Sequence, residues 1–131
     1  MKRKIVLTGI INCKDEYLIV KRSKDDDFLP GVWEFPGGNM KDDELIYDAL
    51  KREMIEEIGF IINNTNIRLV HYYDEIKKKK EKYHYIELDF LIKVENKDIG
   101  IKLSDEHDAF CWINKDSNII DEYIKDKLNS I

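Results

Sequence analysis

Hydrophobic and polar positions divide the chain into strands and helices joined by short polar segments. Runs rich in β-branched and aromatic residues predict strands at residues 5–13, 17–21, 67–76, 83–94 and 109–113, with a short extended piece at 32–35. Helices are predicted at residues 45–58 and 117–129, and Gly59 is placed to end the first as a left-handed C-terminal cap. This order of elements predicts an α+β fold in which helices pack on a mixed β-sheet.

Three polar segments join these elements. Residues 14–16 (Lys-Asp-Glu) separate the first two strands and suggest a hairpin. Residues 36–38 (Pro-Gly-Gly) predict a tight turn that carries little side chain. The lysine-rich segment 77–82 is predicted to be a solvated hairpin tip, with a basic patch for nucleic acid as the alternative.

Length and composition fit one compact domain over residues 1–131, as a monomer or a homodimer. The chain has 131 residues, 43% of them hydrophobic, which is enough to bury a core without metal or disulfide staples. Its formal charge of −5 argues against a duplex nucleic-acid partner, since phosphate backbones need clustered Lys and Arg. An acidic protein can still bind polyphosphates when divalent cations lie between the two anions.

Several features indicate a cytoplasmic protein. Cys13 and Cys111 lie far apart and match no metal-ligand spacing, so they are predicted to be two buried thiols in a reducing cytosol. The basic start and the apolar run 5–11 are similar to parts of a signal peptide, but charged residues follow where a cleavage site would need small ones. No run approaches transmembrane length, so no membrane partner is expected.

The first predicted helix carries an unusual set of acidic side chains. At roughly 100° per residue, Glu53, Glu56 and Glu57 fall on one side, interleaved with apolar residues. The other charged residues fall on a separate arc that is predicted to be a solvated face: Glu44, Asp48, Lys51 and Arg52. Three like charges beside apolar neighbours are destabilising unless something positive offsets them. Mg²⁺ prefers carboxylate oxygens and also takes up substrate phosphates, so the spacing predicts a metal site for phosphoryl chemistry.

One motif extends from the Pro-Gly-Gly segment through this helix. It reads Gly38, five residues, Glu44, seven residues, then Arg-Glu-Met-Ile-Glu-Glu-Ile-Gly-Phe at residues 52–60. The motif resembles the signature of the Nudix hydrolases, which cleave nucleoside diphosphates linked to another group. The resemblance implies an α/β/α sandwich around a mixed sheet, a catalytic loop and helix at residues 38–60, and a C-terminal helix. Met54 and Phe60 stand where Ile, Leu or Val is usual, and they keep the apolar character.

The resemblance also implies roles for the residues of the motif. Mg²⁺, or Mn²⁺ in its place, would be held by three glutamates and by the backbone of one glycine: Glu53, Glu56, Glu57 and Gly38. Arg52 and Glu44 would fix the geometry of the loop and the helix. One of the three glutamates, or a glutamate in a later loop, would activate the attacking water.

Glu106 is the candidate in that later loop. It lies six residues before Trp112 and matches an acidic loop position that can add a metal ligand or a base. Apart from this match, it would be an ordinary exposed acid. His107 borders the same loop and is the one histidine of functional interest, whereas His71 and His84 alternate within strands and are predicted to pack or to face solvent.

The segment 33–38 (Trp-Glu-Phe-Pro-Gly-Gly), with Arg22 upstream, is similar to the MutT-type nucleoside-triphosphate pyrophosphohydrolases. This similarity places Arg22, Phe35, Gly37 and Gly38 near the substrate. Asn118 is positioned like the asparagine that reads a guanine base in such enzymes. The alternative for Asn118 is a cap at the start of the closing helix.

The resulting hypothesis is Mg²⁺-dependent hydrolysis of a nucleoside triphosphate, such as an oxidised guanine nucleotide, to a nucleoside monophosphate and pyrophosphate. Glu53 or Glu106 would act as the base. One alternative is another nucleoside-diphosphate-linked substrate: ADP-ribose, a nucleotide sugar or a dinucleoside polyphosphate. A second alternative is a Nudix-fold sensor that binds nucleotides without turnover, but such modules typically lose the signature glutamates that this chain keeps.

Overall fold

Strands and helices follow one another much as the hydrophobic pattern predicts. The computed structural model describes residues 1–131 apart from the side chain of Asn64. The strands are β1 Lys2–Cys13, β2 Glu16–Arg22, β3 Trp33–Glu34, β4 Gly37–Asn39, β5 Ile67–Lys78, β6 Lys82–Lys93 and β7 His107–Ile113. The helices are α1 Ile46–Ile58 and α2 Glu122–Asn129, and a 3₁₀ turn occupies Asn64–Asn66. None of the described helices has the length and apolar character to cross a membrane.

The strands form one mixed sheet, which confirms the predicted architecture. Its main path runs β3-β2-β1-β6-β5, with β4 paired to β1 and β7 paired to β2. β1 runs parallel to β6 over residues 2–12, whereas the other pairs are antiparallel. β1 therefore lies centrally, between β6 on one side and β2 with β4 on the other.

The two faces of the sheet bury separate helices. Alternate residues of β1 point to opposite faces. On one face Leu7 and Ile11 pack with Leu50, Met54 and Ile58 of α1. The opposite face holds a second core cluster, in which residues of the sheet meet α2: Ile10, Ile19, Leu91, Ile124 and Leu128. Helices on both sides of a mixed sheet match the sandwich that the resemblance implied.

Local signals placed the C-terminal end of α1 correctly. Gly59 has φ 67° and ψ 21°, and its N–H donates to the carbonyls of Ile55 and Met54. A left-handed residue after the last helical turn is the position where glycine costs least. The predicted hairpins also form, although β5 and β6 run farther than expected and leave only residues 79–81 as the lysine-rich tip.

The tight turn predicted at residues 36–38 is wrong. Gly37 and Gly38 lie in β4, where they pair with Thr8 and Leu7 of β1. Neither glycine has a positive φ. A Cβ on Gly37 would collide with the carbonyl oxygen of Leu7. The two glycines are thus needed because β4 approaches its neighbours closely. A local sequence pattern cannot distinguish this requirement from that of a turn.

The predicted start of the closing helix is also wrong. α2 begins at Glu122, and the side chain of Asp121 accepts the N–H of Ile124 as its N-terminal cap. Asn118 is exposed and lies in the turn before the helix, so it is not the cap. The side chain of Asn114 accepts the N–H of Asp116, and its carbonyl accepts the N–H of Ser117, so residues 114–117 form a local turn outside the helix.

Candidate functional site

Two glutamates of α1 are buried. Glu53 is 8% exposed and Glu57 is 5% exposed, although both carry carboxylates. A Cβ on Gly38 would collide with the carboxylate of Glu53, so the absence of a side chain at Gly38 is what lets this carboxylate lie against the strand. Glu56 stays at the rim with its side chain 55% exposed. The three glutamates therefore do not form the single inward cluster that the helical spacing predicted.

Arg52 links these glutamates to the loop before the helix. Its Nε and Nη2 donate to Glu44 at 2.6 and 2.8 Å, and its Nη1 donates to Glu53 at 2.8 Å and to Glu56 at 3.1 Å. Nη2 also donates to the carbonyl of Asn39 at 3.0 Å. The predicted solvated face of Glu44 and Arg52 is wrong, because the long guanidinium side chain reaches around the helix to residues on the neighbouring arc.

The Arg52–Glu44 pair makes acid stability depend on Glu44. The hydrogen bond from Arg52, the backbone N–H of Lys41 and the Arg52 charge lower the pKa of Glu44 from 4.5 to about 2. Because the folded pKa is the lower one, the stabilisation is complete above pH 4.5 and is lost as the pH falls towards 2. We expect Glu44→Gln to make the metal-free protein less pH-sensitive than the wild type in this window, as measured by urea unfolding. Glu95→Gln, at an exposed site, is the control, and an equal slope in all three proteins would refute the assignment.

Burial and neighbouring carboxylates favour the protonated forms of the two inward glutamates. Burial raises the pKa of Glu57 to about 7; His107 works against this shift, whereas the nearby Glu106 and Glu53 add to it. Burial also raises the pKa of Glu53, although Arg52 opposes the shift. The charge of Glu106 contributes to the raised pKa of both glutamates, so the predicted acidic loop does lie beside the carboxylates of α1.

His107 completes the wall behind Glu57. Its ring is 1% exposed, with Nε2 2.8 Å from Glu34 Oε2 and Nδ1 3.6 Å from Glu57 Oε2. Burial lowers the pKa of His107, but the hydrogen bond to Glu34 and the charges of Glu57, Glu34 and Glu106 outweigh it, so the net shift is upward. The imidazolium form is thus favoured among these three carboxylates.

The donor set fits a hard divalent cation that keeps some of its water. Within the described part of the chain, no three His, Cys, Asp or Glu side chains already converge as a ligand set, and Arg52 holds one oxygen each of Glu53 and Glu56. In each of Glu53, Glu56 and Glu57, the described hydrogen bonds engage only one of the two carboxylate oxygens. Mg²⁺ is commonly bound by one or two carboxylates together with water and substrate phosphates, so a partial set of carboxylates suits it.

The paired glycines give a prediction that separates folding from metal binding. In Gly37→Ala the new Cβ meets the backbone of Leu7, which cannot move cheaply, so we expect a loss of about 1–3 kcal/mol in the free energy of unfolding. In Gly38→Ala the atoms nearest the new Cβ belong to the movable end of Glu53, so we expect a stable protein whose Mn²⁺ affinity falls about tenfold or more. Urea unfolding and Mn²⁺ titration of both variants check this, and the reverse order of effects would disprove it.

The other residues predicted to bind substrate do not contact the carboxylates of α1 directly. Arg22 is held by ion pairs to Asp26 at 2.7 Å and Glu34 at 3.3 Å, and it reaches the carboxylates of α1 only through Glu34 and His107. Phe35 is 5% exposed and belongs to the core cluster beside α2. None of the described side-chain contacts joins Asn118 to this site.

Sequence reasoning missed Glu34 as a member of the site and gave His107 no defined role. Glu34 was present in the Trp-Glu-Phe-Pro-Gly-Gly segment, but it lies 73 residues from His107 in the chain. No local spacing connects residues this far apart. Their contact arises because β3 and β7 both pair with β2, which brings the two side chains together across the sheet.

A second buried cluster of charges lies where α2 meets the sheet. Lys127 Nζ lies 2.7 Å from Glu87 and 3.0 Å from Asp89, and all three residues are less than 9% exposed. The hydroxyl of Tyr123 donates to Glu87 at 3.0 Å, and His71 Nδ1 lies 2.8 Å from Asp89. The charged groups of this cluster are bonded to one another, so we interpret the cluster as one that fixes α2 to the sheet.

Comparison with known proteins relates the whole chain to one family. The Nudix domain model matches residues 1–128. A protein named nucleoside triphosphatase NudI from Escherichia coli O81 (strain ED1a) is 29% identical over 119 residues, covering 86% of this chain and 83% of that protein. The NudI protein of Enterobacter sp. (strain 638) is 28% identical over 123 residues, covering 89% and 86% respectively.

Solved structures show the same fold. A MutT Nudix hydrolase from Burkholderia pseudomallei superimposes with a TM-score of 0.78 at 21% identity, covering 100% of this chain and 99% of that one. The MutT protein from Methanosarcina mazei Go1 gives a TM-score of 0.72 at 22% identity, with coverage of 98% and 91%.

Proposed function

The chain belongs to the Nudix family, and we propose that it hydrolyses nucleoside triphosphates to nucleoside monophosphates and pyrophosphate with Mg²⁺ as cofactor. The observation that carries the proposal is a pair of buried carboxylates on α1: Glu53, which lies against Gly38 and is held by the Arg52 guanidinium, and Glu57, which lies beside His107. The relatives named as nucleoside triphosphatases support the choice of substrate class.

In this proposal the cation would be held by Glu53, Glu56 and Glu57, with the Gly38 backbone and Glu106 as further oxygen donors. When bound, Mg²⁺ would neutralise phosphate charge and lower the pKa of the attacking water. Mn²⁺ can take the same oxygen ligands.

The protein's own groups then position the cation and accept the proton. Arg52 fixes Glu53 and Glu56 relative to the loop at Glu44, so these carboxylates are oriented before substrate arrives. Water attacks a bridged phosphorus, pyrophosphate leaves with the bridging oxygen, and the proton of the water passes to Glu53 or Glu106. Glu106 is exposed, so it can exchange that proton with solvent.

The site's negative charge also supports the need for a cation. Four carboxylates lie at the site, those of Glu53, Glu56, Glu57 and Glu106, and a triphosphate would be repelled by them unless a divalent ion lay between. For the same reason we propose a small nucleotide as the partner rather than duplex nucleic acid. A reducing compartment such as the cytoplasm fits the two cysteines, which are free in the structure.

A substrate panel tests the proposal directly. Purified protein is incubated with Mg²⁺ and the common and oxidised nucleoside triphosphates, ADP-ribose, a nucleotide sugar and a dinucleoside polyphosphate, and the products are separated by chromatography. We expect a triphosphate to give monophosphate and pyrophosphate in equal amounts, and we expect EDTA to abolish the reaction.

The products distinguish the competing functions. Preferred cleavage of ADP-ribose, a nucleotide sugar or a dinucleoside polyphosphate would overturn the substrate assignment but keep the family chemistry. Release of a nucleoside diphosphate and inorganic phosphate would show that a different phosphate bond is cleaved, and it would overturn the proposed release of pyrophosphate. Tight nucleotide binding with no product in Mg²⁺ or Mn²⁺ would favour a sensor.

A further inference from the structure

His107 has a buried nitrogen that lacks a hydrogen-bond partner. The residue is 5% exposed, and its Nδ1 is the only buried side-chain nitrogen or oxygen found without a partner among the described residues. The nearest carboxylate oxygen is Glu57 Oε2, 3.6 Å away. Unpartnered buried polar atoms are rare in folded proteins and often mark a functional group or a partner that arrives later.

The other side of the ring is firmly bonded. Nε2 lies 2.8 Å from Glu34 Oε2. Because a carboxylate can only accept, Nε2 carries a hydrogen and donates it to Glu34. The ring plane is thereby fixed, and Nδ1 is aimed at Glu57.

Glu34 is itself held from behind. Arg22 Nη1 lies 3.3 Å from both oxygens of Glu34. Arg22 is in turn anchored by Asp26 at 2.7 Å and by the carbonyl of Phe28 at 2.8 Å. Four residues from β2, β3, β7 and α1 thus form a continuous chain of contacts, Arg22–Glu34–His107–Glu57.

We propose that His107 is a positioning residue that orients the Glu57 carboxylate for the divalent cation, with Glu34 and Arg22 holding the imidazole in place. A hydrogen bond from Nδ1 needs a separation of about 2.7–3.2 Å, so Glu57 has to move by only about half an ångström towards the ring. Partners of this kind fix ligand orientation, and their loss commonly weakens metal binding about 10–100-fold. The inference rests on the proposed cation site, and it goes beyond it by assigning the group that orients one ligand.

Two amide substitutions separate positioning from simple packing. An asparagine amide at position 107 places its nitrogen near that of Nδ1, facing Glu57, whereas a glutamine amide places it near that of Nε2, facing Glu34. If His107 positions Glu57, His107→Gln should lose about 10–100-fold in Mn²⁺ affinity and His107→Asn should lose clearly less. If His107 only holds the strands together through Glu34, the order should reverse.

The measurement is a titration of the metal-free protein with Mn²⁺ alone, in which free Mn²⁺ is followed by electron paramagnetic resonance. His84→Gln is the matched control, since His84 also contacts a carboxylate, Asp74 at 2.7 Å, on the hairpin of β5 and β6. We expect its Mn²⁺ affinity to equal that of the wild type. Urea unfolding of each metal-free variant checks that the fold is kept.

A second variant covers the case in which position 107 tolerates neither amide. Glu34→Gln keeps an acceptor for Nε2 but removes the charge that Arg22 and His107 share, so we expect a several-fold loss in Mn²⁺ affinity with the fold intact. Wild-type affinity in both Glu34→Gln and His107→Gln would overturn the inference. If the wild type hydrolyses triphosphates and binds Mn²⁺ while these variants bind equally well, only this inference fails; if the wild type binds no Mn²⁺, the proposed cation site fails with it.

Discussion

Replacing Glu53 with glutamine is expected to lower the turnover of the preferred triphosphate by about two to four orders of magnitude. Glu53 is buried beneath Gly38 and accepts a hydrogen bond from Arg52 Nη1 at 2.8 Å. The amide keeps the volume and still offers an oxygen to Arg52, but it removes the charge that would hold the cation or accept the proton. The fold should be retained, and the metal-free protein should be as stable as the wild type or slightly more so, because burial disfavours the ionised carboxylate.

Steady-state kinetics in saturating Mg²⁺, together with urea unfolding, measure this effect. Glu16→Gln is the matched control: it makes the same change in an ion pair, to Lys97 at 2.9 Å, at the protein surface. The control should keep wild-type turnover. Near-normal turnover in Glu53→Gln would remove Glu53 from both proposed roles.

The largest effect on stability is expected at Lys127. Its ammonium is the cation shared by Glu87 and Asp89, which are 6% and 0% exposed. Burial raises the pKa of Glu87, but Lys127 together with the hydroxyls of Tyr123 and Tyr85 more than offsets this shift. Lys127→Met fills a similar volume without charge, so Glu87 and Asp89 lose the ammonium between them and keep only their weaker polar contacts, such as those to Tyr123 and His71. We expect a loss of about 3–5 kcal/mol in the free energy of unfolding at pH 7.

Urea unfolding compares this variant with Lys125→Met, which makes the same change on the exposed side of α2 and should cost little. A loss below about 1 kcal/mol in Lys127→Met would show that the cluster does not hold α2 to the sheet. Adding Glu87→Gln and Asp89→Asn to Lys127→Met should recover part of the loss, because a buried ion cluster replaced as a whole leaves no unpaired charge.

The sequence predicted the elements whose causes are local. α1 and its left-handed cap at Gly59 follow from short-range pattern and backbone conformation, and both are confirmed. The mixed sheet with two helices also follows from the order of strands and helices. In contrast, β4 was mistaken for a turn because Gly37 and Gly38 are required by contacts with β1 and α1, which no local window contains.

The errors at α2 and around Arg52 have different physical origins. Residues 114–121 contain several side chains that can cap a helix, and the structure selects Asp121. The spacing of roughly 100° per residue assigned Arg52 and Glu53 to different sides of the helix because it gives only the direction in which each side chain leaves the backbone. The guanidinium lies several bonds farther out and bends towards the carboxylates. The contact between Glu34 and His107 depends on strand pairing and could not be read from spacing at all.

We propose that the carboxylates of α1 hold a divalent cation, and one crystallographic measurement tests this most directly. Crystals grown with Mn²⁺ and a non-hydrolysable triphosphate analogue would be measured near the manganese absorption edge. We predict an anomalous peak about 2.0–2.3 Å from carboxylate oxygens of Glu53, Glu56 and Glu57. No peak there, or a peak only at another acidic pair such as Glu87 and Asp89, would contradict the account.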